Sequence, residues 1–427
     1  MLVRDRVGLL AVALVVGLAG CSTQDTTATI EVDTPVALAD QAVHIRVTGL
    51  RPGGTVTVGS RATDYQGAVW RGEATFTADD SGVVDLERAW PVSGSYQDAD
   101  GMGLFWSMRP PTGDPDATWF SPRLPAEAGS FEVGLSVTVA GREVAARTLT
   151  REWMAAGVTR RTLSLGTDGV VGELYLPPAG AVRRPGYLTF GGSGGGMGNV
   201  FEAALLASHG HPTLTLAYFG LPGLPATLRD IPLEYFATAA RLLAAQPQVD
   251  RGAVVVSGYS RGSEAALLLA NDHPDLIRGT VLYAPNDKVE SSFPAGGDAW
   301  TRGGKPLKEG TDIPVDRVAG PVLAIAGSRD RVWYSDPAAR EIMRRLDAVP
   351  GALAHHLLTY PEAGHGVGTL PYLPSGVRMV HPVTQEILEM GGTRAADEAA
   401  RRDSWPLVLK FLAAIAGTVA GATHTGR

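Results

Sequence analysis

At 427 residues the chain has room for two or three domains, each able to bury its own core. A net charge of −7 without a basic run excludes a protein that grips nucleic acid by charge. The single cysteine, Cys21, excludes an intramolecular disulfide and a cysteine-built metal site, and neither metal nor organic cofactor is expected.

In chain order, Arg4 and Arg6 precede the apolar run Val7 to Leu18, and Leu18-Ala19-Gly20-Cys21 closes it. The run is too short to span a bilayer comfortably. Its charged, apolar and small-residue sections predict a secretory signal over 1–20. The ending is that of a lipobox, so Cys21 is expected to be lipidated and to hold the protein on the extracytoplasmic face of the cell membrane. A polar tether, 21–27, follows.

Residues 28–151 read as β. Short alternating runs (Val43–Val47, Thr55–Val58, Ala74–Thr77, Val133–Val139) are separated by Gly, Pro and Asp turn signals, and Ala140-Gly141-Arg142 suits a hairpin loop. This predicts an all-β, immunoglobulin-like sandwich without its disulfide. From 152 to 427 the grammar changes to strand–helix alternation. Strands are expected at Leu163–Leu165, Gly172–Leu176, Tyr187–Phe190, Thr213–Ala217, Val254–Ser257, Gly279–Tyr283, Val322–Ala326 and His356–Thr359. Helices are expected around Phe201–Ser208, Pro232–Ala245, Glu264–Ala270 and Pro337–Leu346. Near-continuous apolar strands predict a mostly parallel sheet with helices on both faces, an α/β hydrolase domain. The polar, Gly-rich segment Asn286–Asp312 lies where such folds insert lids, and is expected to set access to the site.

The chemistry centres on Val254-Val255-Val256-Ser257-Gly258-Tyr259-Ser260-Arg261-Gly262, a strand that runs into a G-x-S-x-G turn with an Ala/Leu-rich helix directly behind it. A nucleophile elbow needs that strand, that helix and small residues beside the serine. Gly191-Gly192-Ser193-Gly194-Gly195 also matches G-x-S-x-G but is trailed by more glycine, so Ser193 lacks the rigid mounting a nucleophile needs. Ser260 is therefore the candidate nucleophile. An acid and then a histidine should follow, each just after a strand. Asp330 follows Val322–Ala326, with Asp287 as runner-up; Asp336 reads as the start of a helix. His365, after the last strand and between Gly364 and Gly366, is the candidate base, with His381 as the weaker rival. His209 and His211 are expected at the surface. The Arg261 N–H and that of Gly192 or Ser193 are the candidate oxyanion donors.

These motifs, with others along the chain, resemble one family: acyl-CoA thioesterases and bile acid-CoA:amino acid N-acyltransferases. The first half shares Leu38-Ala39-Asp40, Val47-Thr48-Gly49-Leu50 and the Gly94 to Met108 block. The second shares the Phe190 glycine run, Ala217-Tyr218, Leu233-Glu234-Tyr235-Phe236, the elbow, Asp330 with Trp333, Tyr360 to His365, and Gly391-Gly392 with Trp405. The resemblance implies a triad of Ser260, Asp330 and His365 acting on a small-molecule acyl thioester or ester. Amine-transferring members commonly carry cysteine as nucleophile, so serine favours hydrolysis. Arg261 stands where lysine is common, a change expected to matter little. The Trp106 block is expected to pack between domains. The resemblance implies an acyl-CoA thioesterase-like activity, and the expected export leaves an extracytoplasmic carboxylesterase or acyltransferase on a non-CoA substrate as the alternative. A non-catalytic surface lipoprotein would have no need of all three triad groups.

Overall fold

In the computed structural model, residues 27–422 are described, save 352 and 369. The expected signal, Cys21 and the tether up to Thr26 lie outside the described residues.

The first half forms two sheets around one core. A three-stranded antiparallel sheet holds Thr29–Val32, Ile45–Thr48 and Val84–Asp85. A six-stranded sheet runs in the order Val36–Leu38, Arg142–Glu152, Ser130–Val139, Thr55–Thr63, Val69–Thr77, Ser93–Gly94. Alternation decides which face is buried: Val56, Val58, Trp70, Ala74 and Phe76 point inward while their neighbours stay outward. The hairpin at Ala140-Gly141 has both residues at positive φ (49° and 77°), which matches the twist of the long strands it joins. This half is not purely β. Gly103–Trp106 is one helical turn whose four residues are all buried, and Gly103 lies flat against the Tyr96 ring.

The second half is built on an eight-stranded sheet. Its strands are β1 (Thr159–Leu163), β2 (Val171–Leu176), β3 (Arg184–Phe190), β4 (Thr213–Ala217), β5 (Val249–Tyr259), β6 (Ile277–Tyr283), β7 (Val322–Gly327) and β8 (His356–Tyr360). Their order is β1-β2-β4-β3-β5-β6-β7-β8, antiparallel at β1/β2 and β2/β4 and parallel from β4 onward. The apolar runs that make β4 and β7 wholly buried are covered by α1 (Val200–Ser208), α2 (Leu233–Ala244), α3 (Arg261–Asp272), α4 (Ser335–Asp347) and α5 (Arg394–Ala422). This is the α/β hydrolase sheet, with β5 near its middle.

Two expectations are corrected, and one segment left open by the sequence is given its conformation. The strand placed at Leu163–Leu165 stops at Leu163, because the Asp168 carboxylate accepts the Ser164 N–H and Gly169 at φ 73° caps a short helical turn. His211 is buried, with Nδ1 3.3 Å from the Pro185 carbonyl, and His209 Nε2 pairs with Asp40 Oδ2 at 2.6 Å, so neither is a free surface group. The segment 286–312, placed by the sequence where lids are inserted, is an ordered element. It contributes Trp300–Arg302 and Lys305–Pro306 to a small sheet beside Ile231–Pro232, and fully buried Trp300 packs on Tyr218 and Phe236.

The halves grip each other through polar groups as well as apolar ones. Asp40 Oδ2 also accepts from Trp405 Nε1 at 2.7 Å, and Arg394 Nη2 donates to the carbonyls of Trp106 (3.1 Å) and Met108 (2.8 Å). The Trp106 block thus sits at the junction.

Candidate active site

β5 ends at the elbow. Ser260 has φ 55° and ψ −124°, a strained conformation for a residue with a side chain, and α3 starts at the next residue. The flanking glycines are there because nothing larger fits. A Cβ on Gly258 would lie 2.1 Å from the Gly262 carbonyl oxygen, and one on Gly262 2.4 Å from that of Gly191. The turn projects Ser260 Oγ over the carboxyl edge of the sheet, and the Ser260 N–H is tied to the Tyr283 carbonyl at the end of β6, 2.9 Å away.

His365 Nε2 lies 2.9 Å from Ser260 Oγ, and His365 Nδ1 lies 2.7 Å from Asp330 Oδ2. A carboxylate at Nδ1 demands a proton there, so Nε2 is bare and accepts the serine hydroxyl's hydrogen. Asp330 Oδ1 is fixed in turn by the N–H groups of Val332 (2.8 Å) and Trp333 (3.3 Å). The imidazole is walled by the Tyr259 and Trp333 rings, with centroids 5.1 and 5.8 Å away. Tyr259 Oη donates to the His365 carbonyl at 3.0 Å, and Trp333 Nε1 to that of Ala284. The structure thus brings Ser260, Asp330 and His365 together, all nearly buried. The runner-up Asp287 is elsewhere, near Arg345, and Asp336 lies in the first turn of α4.

The glycine loop after β3 closes over the serine. A Cβ on Gly192 would lie 2.9 Å from Ser260 Cβ and 3.3 Å from its Oγ, so only glycine leaves the Ser260 side chain room. The Tyr218 hydroxyl is 2.9 Å from the Gly191 carbonyl oxygen and 2.8 Å from that of Gly192. Trans peptide planes then turn the Gly192 and Ser193 N–H groups away from Tyr218. The Arg261 N–H, first in α3, has no partner within its helix. Its side chain has a separate task that the sequence reading missed. Arg261 Nε donates to Glu264 Oε1 at 2.5 Å and Nη2 to the Glu290 carbonyl at 3.1 Å, while Glu264 Oε2 takes Trp300 Nε1 at 2.8 Å. Burial raises the Glu264 carboxyl. Through this ion pair the elbow helix anchors segment 286–312.

Asp397, in the first turn of α5, was also missed. Its Oδ1 accepts the Gly364 N–H at 2.7 Å, directly before His365. Burial is the main cause that lifts this carboxyl to about 6. No local motif marks it, since its partner loop is remote in sequence. Beside the site, at the junction of the halves, is a cavity of about 220 Å³ walled by Trp119, Phe120, Phe201, Leu370, Leu373 and Trp405. Glu202 faces it, bonded by Tyr187 Oη (3.2 Å) and Thr189 Oγ1 (2.9 Å) and raised to about 7 by desolvation.

Comparison with known proteins gives a consistent result over both halves. Residues 40–164 match the family profile described as "Acyl-CoA thioester hydrolase/BAAT N-terminal region". Residues 231–292 and 298–417 match "BAAT / Acyl-CoA thioester hydrolase C terminal". Acyl-coenzyme A thioesterase 6 of Mus musculus is 32% identical over 87% of this chain and 93% of its own. Mouse peroxisomal succinyl-coenzyme A thioesterase is 30% identical over 90% and 95% of the two chains. Mouse acyl-coenzyme A amino acid N-acyltransferase 1 is 30% identical over 88% and 94%.

Proposed function

The chain belongs to the acyl-CoA thioester hydrolase/BAAT family and is an enzyme with hydrolase activity; from that premise we propose that it cleaves acyl thioesters through an acyl-enzyme on Ser260. The observation that carries this reading is the unbroken hydrogen-bond chain from Ser260 Oγ through His365 to Asp330 at a strained strand–helix turn. As Oγ attacks the thioester carbonyl, its proton passes to His365 Nε2, and Asp330 steadies the resulting imidazolium. The carbonyl oxygen gains the charge and is met by the Arg261 N–H and by that of Gly192 or Ser193. Collapse expels the thiolate, which takes the proton from Nε2. Water then attacks the acyl-serine with His365 again taking a proton, the acid departs and Ser260 is restored.

The acyl chain has a place to lie in the cavity at the junction. Its walls come from α1, which follows the glycine loop, and from residues just past His365, and Tyr283 lines it while binding the Ser260 N–H. This assigns chain-length selection to Phe201 and Leu370 in preference to segment 286–312, whose centre is packed into the core. A carrier other than CoA follows from the expected anchor at Cys21, which would place the site outside the cytoplasm. Transfer of the acyl group to an amine is the second reading, favoured by the similarity to an N-acyltransferase. The immunoglobulin-like first half serves as the fixed wall of the cavity.

One experiment tests carrier and chemistry together. The kcat/KM for an acyl-CoA is compared with that for the same acyl group on N-acetylcysteamine, with glycine present or absent and Ser260→Ala as control. A ratio near one is expected, with free acid as product, because binding outside the reacting centre is what separates carriers. A strong preference for acyl-CoA would restore CoA as the carrier, and acyl-glycine as the product would establish transfer. Turnover by Ser260→Ala would overturn the acyl-enzyme.

A further inference from the structure

The two groups passed over in choosing the nucleophile and the base, Ser193 and His381, lie together. His381 Nε2 is 3.0 Å from Ser193 Oγ, and the ring is almost fully buried. The Val383 N–H points at His381 Nδ1 from 3.2 Å, so Nδ1 is the acceptor and the ring's proton sits on Nε2. His381 therefore donates to Ser193 Oγ, the reverse of the proton flow a nucleophile needs. No carboxylate stands behind it among the described residues. This pair is not a second hydrolytic centre.

His381 is itself held firmly. It opens the turn of a hairpin formed by Arg378–Val380 and Ile387–Glu389. Its N–H donates to the Glu386 carbonyl and its carbonyl accepts from the Gln385 N–H, both at 2.8 Å. The ring lies 4.7 Å from that of Phe293. The element it contacts is the opposite. Gly191, Gly192, Gly194, Gly195 and Gly196 surround Ser193, with Gly195 and Gly196 at φ 67° and 69°, and such a run has little stiffness of its own. Tyr218 fixes its carbonyls from the sheet side. Ser193 is the one residue between Gly191 and Gly196 that offers a side chain to hold.

Given the acyl-enzyme at Ser260, we propose that His381 is a positioning residue: its Nε2–H fixes Ser193 Oγ so that the glycine loop keeps its N–H groups aimed at the carbonyl oxygen Ser260 attacks. Tyr218 and His381 then clamp the loop from opposite sides. A preorganised donor matters most when charge develops, so the effect falls on turnover rather than on binding.

The test uses the full chain with p-nitrophenyl butyrate and a fluorophosphonate probe, whose reaction at serine places negative charge on a phosphoryl oxygen. His381→Ala is expected to lower kcat by about 10- to 100-fold, less than or equal to the loss of one oxyanion donor, with KM within about twofold. Labelling of Ser260 should slow by a similar factor. His381→Gln, whose amide nitrogen can stand where Nε2 does, should recover most of the loss. Ser193→Ala should match His381→Ala, and the double variant should lose no more. Unchanged kcat in His381→Ala, or a Gln variant no better than Ala at equal thermal stability, overturns the clamp while leaving Ser260 in place. Probe labelling of Ser193 in Ser260→Ala would replace the clamp with a second nucleophile. Full activity in Ser260→Ala would remove the premise instead, and so is a separate failure.

Discussion

The site holds two serine–histidine pairs of nearly equal length, 2.9 Å for Ser260–His365 and 3.0 Å for Ser193–His381. What differs is the group behind each imidazole. Behind His365 is the Asp330 carboxylate, which requires a proton at Nδ1; behind His381 is the Val383 N–H, which forbids one. The Nε2 atom of one histidine is thereby an acceptor toward its serine and that of the other a donor. The distance between a serine and a histidine does not define a catalytic pair; the direction of the proton does. The backbones differ as well. Ser260 is locked by a strained turn between two glycines that pack on carbonyls, whereas Ser193 sits in a loop that needs outside support.

The largest effects should come from breaking the first pair. Ser260→Ala and His365→Ala are each expected to lower kcat by about 10⁴- to 10⁶-fold, with the double variant little worse, since the groups act as a unit. Single-turnover release of p-nitrophenol measures this, and additive losses would argue against a shared step. Asp330→Asn sharpens the comparison, because it gives His365 the kind of partner His381 has: an N–H donor in place of a carboxylate. A drop of about 10⁴-fold is expected, caused by the wrong tautomer. Near-normal kcat would show that His365 does not depend on the Nδ1 proton.

An intermediate effect is expected at the loop. In Gly192→Ala the new methyl would crowd Ser260 Cβ at 2.9 Å and Oγ at 3.3 Å. Displacement of the loop should lower kcat by about 10²-fold, the scale of one lost donor, with the melting temperature shifted by only a few degrees. A large fall in melting temperature instead would mean that the loop is a folding element before it is a catalytic one.

The smallest effect concerns Asp397 beneath His365. Its carboxyl is raised to about 6 from an ordinary value of 3.8, so the native state binds this proton more tightly than the unfolded chain does. Its contribution to stability is complete below about pH 4 and is lost as pH rises through about 6. Asp397→Asn keeps an acceptor for the Gly364 N–H and cannot titrate. Its melting temperature should therefore fall less steeply than that of wild type between pH 4 and pH 7. Parallel curves would show that Asp397 is charged throughout. Glu202 and Glu398, both raised to about 7 chiefly by burial, should keep a residual slope in the variant.

What the sequence disclosed depended on whether the constraint was local. Gly258 and Gly262 were readable because the elbow's own backbone excludes side chains there. Asp330 and His365 were readable because each follows a strand directly and chain order limits their roles. The packing of Trp300 could not be read, since a polar, Gly-rich stretch conceals one large residue that docks against Tyr218 and Phe236. The role of His381 could not be read, because its hairpin has strands of only three residues and its meaning comes from Ser193, far away in the chain. Arg261 was credited with its backbone alone; its side chain became informative only once Glu264 and Glu290 were placed around it.

Asp40 is one carboxylate on which two helices of the second half converge. From the first half, its Oδ2 receives His209 at the end of α1 and Trp405 of α5, the helix that carries Asp397 to the His365 loop and Arg394 to the Trp106 and Met108 carbonyls. Melting the two-sheet half would leave the Trp405 indole without its acceptor and the Arg394 guanidinium with only the Ser375 carbonyl, and would loosen the helix that backs His365. Denaturation should then appear in calorimetry as one cooperative endotherm rather than two. The second half, although it holds Ser260, Asp330 and His365, is not expected to be stable alone: part of the free energy that keeps His365 in place is stored in the neighbouring sheets.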